Sequence, residues 1–248
     1  MSKIIWSSLL VPDDSTPTSS ESQPEYRSVI DNMRRIPIED RDITIPDPKA
    51  LRSMSRASVF LSHVCAKGQE VYSPYLAESP YSIGIYSAVE NGPVDPVSTV
   101  KIVNRDSSLS LSKAYLKYTK PKAYLKRLAN LAPAQMGISL GLRGPLQVYT
   151  HDKMGSLQAL EQAEWDLKTG AVKAALVCTA HAFDDHLTLK RTRYDDDRTI
   201  SEGAAAVLLE PDGRFTPWRE IVPRHDEIFY GISDQLIRLL ENMQHDGQ

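Results

Sequence analysis

Two stretches of the chain, VKAALVCTA over residues 172–180 and EGAAAVLLE over residues 202–210, are apolar almost without interruption. Each has the length of a strand, and neither alternates apolar with polar residues. A strand with one wet face alternates, whereas a strand buried on both faces reads as a continuous apolar run. Two such strands require a layer above and a layer below, and the rest of the sequence supplies them. Residues 154–168 form an amphipathic helix, with Leu157, Leu160, Ala163, Glu164 and Leu167 in register and Gly170 closing it. Residues 128–141 look helical and end at Gly141, a C-cap candidate. A last amphipathic helix over residues 233–243 buries Leu236, Ile237, Leu240 and Met243. The expected fold is α/β: a mixed sheet covered by helices.

Upstream, residues 3–10 (KIIWSSLL), 82–89 (SIGIYSAV) and 144–150 (GPLQVYT) have strand composition. Residues 11–25 are polar and contain prolines, which predicts a flexible loop. Helical patterning returns over residues 26–35. A longer helix is expected from Pro48 to about Val71, with Leu51, Met54, Ser55, Ser58, Leu61, Ser62 and Cys65 on one face. The motif KAYLK occurs twice, at 113–117 and 122–126, separated by Pro121, and one short echo is not a solenoid period.

Composition excludes several classes. The net charge of −3 argues against general nucleic-acid affinity. No apolar run reaches the length that spans a bilayer, and the N-terminal MSKIIWSSLLVPDD lacks a signal-peptide pattern, so a cytoplasmic protein is expected. Cys65 and Cys178 each lie in an apolar stretch. They read as two buried thiols in a reducing compartment, a single disulfide being the alternative.

Residues 130–145 (NLAPAQMGISLGLRGP), 155–180 (GSLQALEQAEWDLKTGAVKAALVCTA) and 201–210 (SEGAAAVLLE) resemble, in order and spacing, the β-ketoacyl synthases of the thiolase superfamily. Before Asn130 the match is looser, resting on residues 54–68 and 82–86. The resemblance implies the N-terminal half of a thiolase-like layered fold, as one truncated ketosynthase-like domain over residues 1–248. In that family a cysteine lies eight residues after the proline of the Gly-Pro turn, where a helix N-terminus favours the thiolate that accepts the acyl chain. Counting from Pro145 gives Lys153, inside HDKMGS. A lysine there gives an amide or an imine, not a thioester that can be passed on. The family's two histidines and lysine belong to its C-terminal half, and His225 and His245 are too few and too late to stand for them.

A short homologue without the cysteine resembles the chain length factor of a type II polyketide synthase, in particular the truncated kind found with aryl polyene synthases. That resemblance implies a non-catalytic subunit, without cofactor, paired with a full-length ketosynthase and serving elongation on an acyl carrier protein. It also places Ala123, Tyr124 and Arg127 where the family's dimers line the partner's acyl tunnel, with Tyr124 as a floor for the growing chain. The rival is an enzyme in its own right, an acyltransferase or imine-forming catalyst built on a desolvated Lys153. A third reading is a decayed ketosynthase acting only as scaffold. The bland reading of Lys153 is an abandoned pocket in which it pairs with a carboxylate such as Asp152.

Lys113, Lys117, Lys120, Lys122, Lys126 and Arg127 are interleaved with Tyr115, Tyr118 and Tyr124. Single-stranded nucleic acid is one reading of such a pattern, which the net charge opposes. Docking of an acidic carrier protein on Lys113, Lys117, Lys120 and Lys126 is the better functional reading. The bland alternative is a wet helix face whose tyrosines and leucines pack inward. His181, Asp184, Asp185 and His186 are metal-binding residue types without a zinc spacing, and Asp195–Asp197 lacks a calcium-loop spacing; both read as solvated loops, and no metal site is expected.

Overall fold

A computed structural model describes residues 2–12, 33–37, 43–92, 95–120, 125–150, 153–183, 198–212, 218 and 227–246. Five strands make the main sheet: β1 (Ser2–Leu10), β3 (Ile83–Val89), β4 (Leu146–Tyr149), β5 (Ala174–His181) and β7 (Gly203–Pro211). Their order is β1-β7-β5-β3-β4. β7 runs antiparallel to both β1 and β5, while β5, β3 and β4 are parallel, so the sheet is mixed. A small second sheet joins β2 (Met33–Arg34), β6 (Thr199–Ser201) and β8 (Ile228–Phe229).

The apolar runs do what continuous patterning requires. Leu176, Cys178, Ala180, Ala204, Ala206 and Leu208 point into one core, while Ala175, Val177, Ala205, Val207 and Leu209 point into another. The period of two along a strand thus divides each run between the two faces of the sheet. Helices α1 (Arg56–Ala66) and α5 (Leu131–Leu140) close the first core through Phe60, Leu61, Val64 and Met136. Helices α6 (Gly155–Lys168) and α7 (Asp234–Asp246) close the second through Leu157, Leu160, Leu236 and Ile237. The remaining helices are α2 (Gln69–Glu78), α3 (Pro96–Val103) and α4 (Leu111–Tyr118). Alanines in the central strands let the helices approach closely. Truncating a buried Leu such as Leu176 to Ala costs about 2–5 kcal/mol.

Four local expectations change. The single helix over Pro48–Val71 is three pieces: a 3₁₀ helix Pro48–Ser53, then α1, then α2. The Ser55 hydroxyl is the reason for the first break, since it accepts from Ser58 N–H at 3.1 Å and starts α1 afresh. Leu51 consequently lies on an exposed piece rather than on the buried face. Met33 and Arg34 form a strand paired with β6 instead of ending a helix; residues 26–32 of that expectation lie outside the described residues, as do residues 13–25 of the predicted loop. Met243 is exposed near the end of α7, while Leu236, Ile237 and Leu240 are buried as expected. Gly141 ends α5 at φ 74°, the left-handed conformation a C-cap glycine adopts.

Candidate functional site

Three elements converge at one end of the sheet: the C-terminal ends of β3 and β5 and the N-terminus of α6. Lys153 stands in the turn between β4 and α6, two residues before the helix begins at Gly155. Met154 is the N-cap and its side chain makes no capping bond. The field of the first turn therefore disfavours an ammonium nearby. What Lys153 gains instead is an aromatic face: its Nζ lies 5.4 Å from the centroid of the Phe229 ring. The Arg198 guanidinium lies 4.6 Å from the same centroid. A cation over a ring is worth about 0.5–2 kcal/mol, enough to offset the helix field. Lys153 is half-buried, not sealed in an apolar pocket. Asp152, its expected carboxylate partner, lies outside the described residues.

Beside this junction sits a pair that sequence reasoning missed. His181 closes β5 and is buried, with Nδ1 3.3 Å from Glu90 Oε1 just past β3. The expectation of a solvated loop at His181 is therefore corrected: the apolar run extends one residue further and carries the imidazole inside. Phe183 meets the ring edge-on at 5.3 Å. Gly231, at φ 54°, covers it from above, and a Cβ there would stand 2.4 Å from Nδ1. Gly231 opens the 3₁₀ turn Gly231–Ser233, which is pinned from below: Thr179 Oγ1 donates to Ala88 O at 2.7 Å and shares a 2.9 Å hydrogen bond with Ser233 Oγ. Asp184, Asp185, His186 and Asp195–Asp197 lie outside the described residues. Among the described residues no group of three or more His, Cys, Asp or Glu could hold a metal ion.

The motif SEGAAAVLLE contributes a second missed residue. Glu202 is fully buried at the mouth of β7. Arg56 grips its carboxylate with Nε and Nη2, each at 2.8 Å, and Ile36 N–H and Phe183 N–H donate at 2.9 and 3.0 Å. One carboxylate thus fastens residues 36, 56 and 183 around the mouth of the site. The paired Arg makes the buried charge tolerable.

The other candidates are scattered. The carbonyl of Arg127 accepts from Gly92 N–H at 3.2 Å, which seats this residue against the exit of β3. Ala123 and Tyr124 lie outside the described residues. Lys113, Lys117 and Lys120 are exposed and Lys126 is half-buried. The bland alternative, with tyrosines and leucines packed inward, does not hold for Tyr115, Leu116 and Leu125, which are exposed, and Ala114 alone of α4 is fully buried. The cause is that α4 packs on α3 rather than on the sheet. Cys65 and Cys178 are free, buried thiols facing each other across α1 and β5; burial, reinforced by the hydrogen bond to Cys178, pushes the Cys65 thiol well above its ordinary value. No helix of the described residues is long and apolar enough to cross a membrane.

No protein-family model and no curated protein sequence matches the chain. Solved structures do. A type II polyketide synthase acyl-carrier protein in complex with its ketosynthase, bound to the hexaketide, matches over 84% of this chain and 62% of that one, at 13% identity and a TM-score of 0.64. A β-ketoacyl synthase from Burkholderia phymatum matches over 71% of this chain and 47% of that one, at 16% identity and a TM-score of 0.52. The ishigamide ketosynthase/chain length factor matches over 73% and 50%, at 15% identity and a TM-score of 0.52. The chain therefore has the thiolase-type fold of the ketosynthases and spans about half to three fifths of the chains it matches.

Proposed function

We propose that this chain is a non-catalytic chain length factor, a single ketosynthase-like domain over residues 1–248 that pairs with a full-length ketosynthase and shapes its acyl tunnel during aryl polyene elongation in the cytoplasm. One observation carries the reading. Lys153 occupies the turn between β4 and α6, where the resemblance puts the family's nucleophilic cysteine, and its ammonium faces Phe229. A lysine so placed does not carry an acyl chain as a transferable thioester.

Further support comes from the edge of the sheet. β4 is a terminal strand, bonded only to β3 among the described strands, and its Leu146 is exposed. An edge of this kind is suited to a partner's strand. The neighbours named above include a ketosynthase/chain length factor pair and a ketosynthase with its carrier protein, which supports both partners as candidates for this chain. On this reading Ala123, Tyr124 and Arg127 line the partner's tunnel, and Lys113, Lys117, Lys120 and Lys126 steer the acidic carrier protein.

Co-purification with a full-length ketosynthase from the same gene neighbourhood tests the proposal. A stable one-to-one complex is expected, burying more than roughly 2,000 Å² as obligate interfaces do. A well-behaved monomer without affinity for the ketosynthase contradicts it. A chain that binds but leaves product length unchanged whatever its sequence is a scaffold only.

A further inference from the structure

Two side chains of α1 take hold of the chain that precedes it. Arg56 and His63 are seven residues apart, which puts them on one side of the helix, two turns from each other. Arg56 Nη2 donates to Ile36 O at 2.6 Å while it also holds Glu202. His63 Nδ1 accepts from Thr44 N–H at 3.0 Å. Residues 43–45 read Ile-Thr-Ile and precede Pro46, a sequence that keeps them extended. They belong to none of the described strands, so the imidazole takes the place that a sheet neighbour would have for the Thr44 amide. Thr44 is exposed, Ile43 and Ile45 on either side of it are half-buried, and His63 is buried.

The two holds differ in chemistry. Arginine keeps its charge across the pH range that proteins meet, whereas an imidazole gains a proton near neutrality. Nδ1 accepts a hydrogen bond here, so its lone pair is present and the neutral ring carries its proton on Nε2. A protonated ring has an N–H at both nitrogens, and Nδ1–H would then meet Thr44 N–H donor to donor. Burial disfavours the imidazolium, and the Lys67 ammonium one turn further along adds to it; together they hold the His63 pKa below its ordinary value. The other charged or titratable groups on the elements packed against α1 are engaged elsewhere. Glu210 of β7 pairs with Lys3 of β1, His181 of β5 with Glu90, and Cys178 of β5 faces Cys65. Helix α5 carries no charged residue. Asp47, beyond Pro46, accepts from Lys49 N–H.

We propose that His63 is a proton-operated clasp: the neutral ring holds residues 43–45 against α1, and the protonated ring releases them. A proton from solvent binds the Nδ1 lone pair, the hydrogen bond from Thr44 breaks, and the amide turns to water, which its exposed position allows. The direction follows from the lowered pKa. As pH falls, the unfolded chain takes the proton first, near its ordinary value of 6.5. The contribution of the clasp to stability is therefore complete above about pH 6.5 and is lost as pH falls through the lower value of the folded chain. The Arg56 hold on Ile36 O does not titrate in this range, so release is confined to residues 43–45. The clasp is a property of this chain by itself and does not depend on the partner function proposed above.

The experiment is an NMR titration of the full chain from about pH 8 to about pH 5 at low ionic strength, with amide hydrogen exchange at each end. The His63 ring and the Thr44 amide should move together, with one midpoint below 6.5. Thr44 protection, corrected for the intrinsic pH dependence of exchange, should fall at least about tenfold, while amides at the centre of β5 keep theirs. His63→Gln supplies a side-chain oxygen that accepts the same N–H at every pH, and should remove the pH dependence. Lys67→Ala, at an exposed position, should raise the midpoint, because the like charge that opposes protonation is gone. A Thr44 amide that stays protected while His63 titrates overturns the proposal. A Thr44 transition that persists in His63→Gln overturns it as well, and so does one that appears only with loss of protection throughout β5, which is global unfolding.

Discussion

Replacing Glu202 removes the fastening at the mouth of the site. Among the described residues its carboxylate accepts four hydrogen bonds: two from Arg56, one from Ile36 N–H and one from Phe183 N–H. Glu202→Ala leaves both amides without this acceptor and removes the ion pair with Arg56, which also donates to Ile36 O at 2.6 Å. Breaking a buried ion pair by removing one partner costs about 3–5 kcal/mol. Glu202→Gln keeps the shape and one acceptor oxygen but loses the charge, so about half that loss is expected, given about 1.5–3 kcal/mol for a hydrogen bond to a charged group. Urea denaturation of the purified chain measures the difference. Amide hydrogen exchange localises it, because Ile36 and Phe183 should lose protection more than the centre of β5 does. A Glu202→Ala chain within about 1 kcal/mol of the parent, with protected Ile36 and Phe183 amides, refutes the reasoning.

Gly231→Ala combines a left-handed φ of 54° with a contact to His181, and should destabilise the chain by roughly 2–4 kcal/mol, read as a lowered urea midpoint; an unchanged midpoint would mean the turn is free to shift. The Cys65 thiol, held protonated by burial, should resist iodoacetamide at neutral pH until the chain unfolds. Because an unfolded Cys65 ionises at its ordinary value and the folded one does not, its contribution to stability is constant below about pH 8.5 and falls as pH rises above it, which a denaturation series in pH checks against Cys65→Ala. Tyr124→Ala should lengthen the carrier-bound products of the reconstituted pair, read by mass spectrometry, and an identical distribution from an intact complex would remove Tyr124 from the tunnel.

Much of the fold was legible because the strands that organise it carry their own signal. The runs at 172–180 and 202–210 announced burial on both faces, and Ala175 with Leu176, or Ala205 with Ala206, do divide between two cores. The helix over Met154–Lys168 was readable for the same reason: a long period of 3.6 leaves little choice. The break at Ser55 was written in the sequence as a serine three residues before Ser58, but the small-residue stripe around it mimicked one helix face. Met33–Arg34 carried no signal of its own, since two residues become a strand only through pairing with β6. The face of α4 stayed open between two readings because an eight-residue helix shows its periodicity without showing what covers it.

The site divides in the same way. Lys153 could be found by counting from Pro145, a local and ordered argument. Glu202 with Arg56, and His181 with Glu90, could not, because each pair joins residues 146 and 91 positions apart that only the folded sheet brings together.

Carrier-bound product formed by the reconstituted pair, with one nucleophile candidate removed at a time, tests the central claim most directly. The account predicts that the pair still elongates when this chain carries Lys153→Ala. It predicts that the pair falls silent when the partner ketosynthase's own active-site cysteine is replaced by alanine, and that this chain alone makes no product. Turnover by this chain alone that disappears with Lys153→Ala would contradict the account and make Lys153 a nucleophile in its own right.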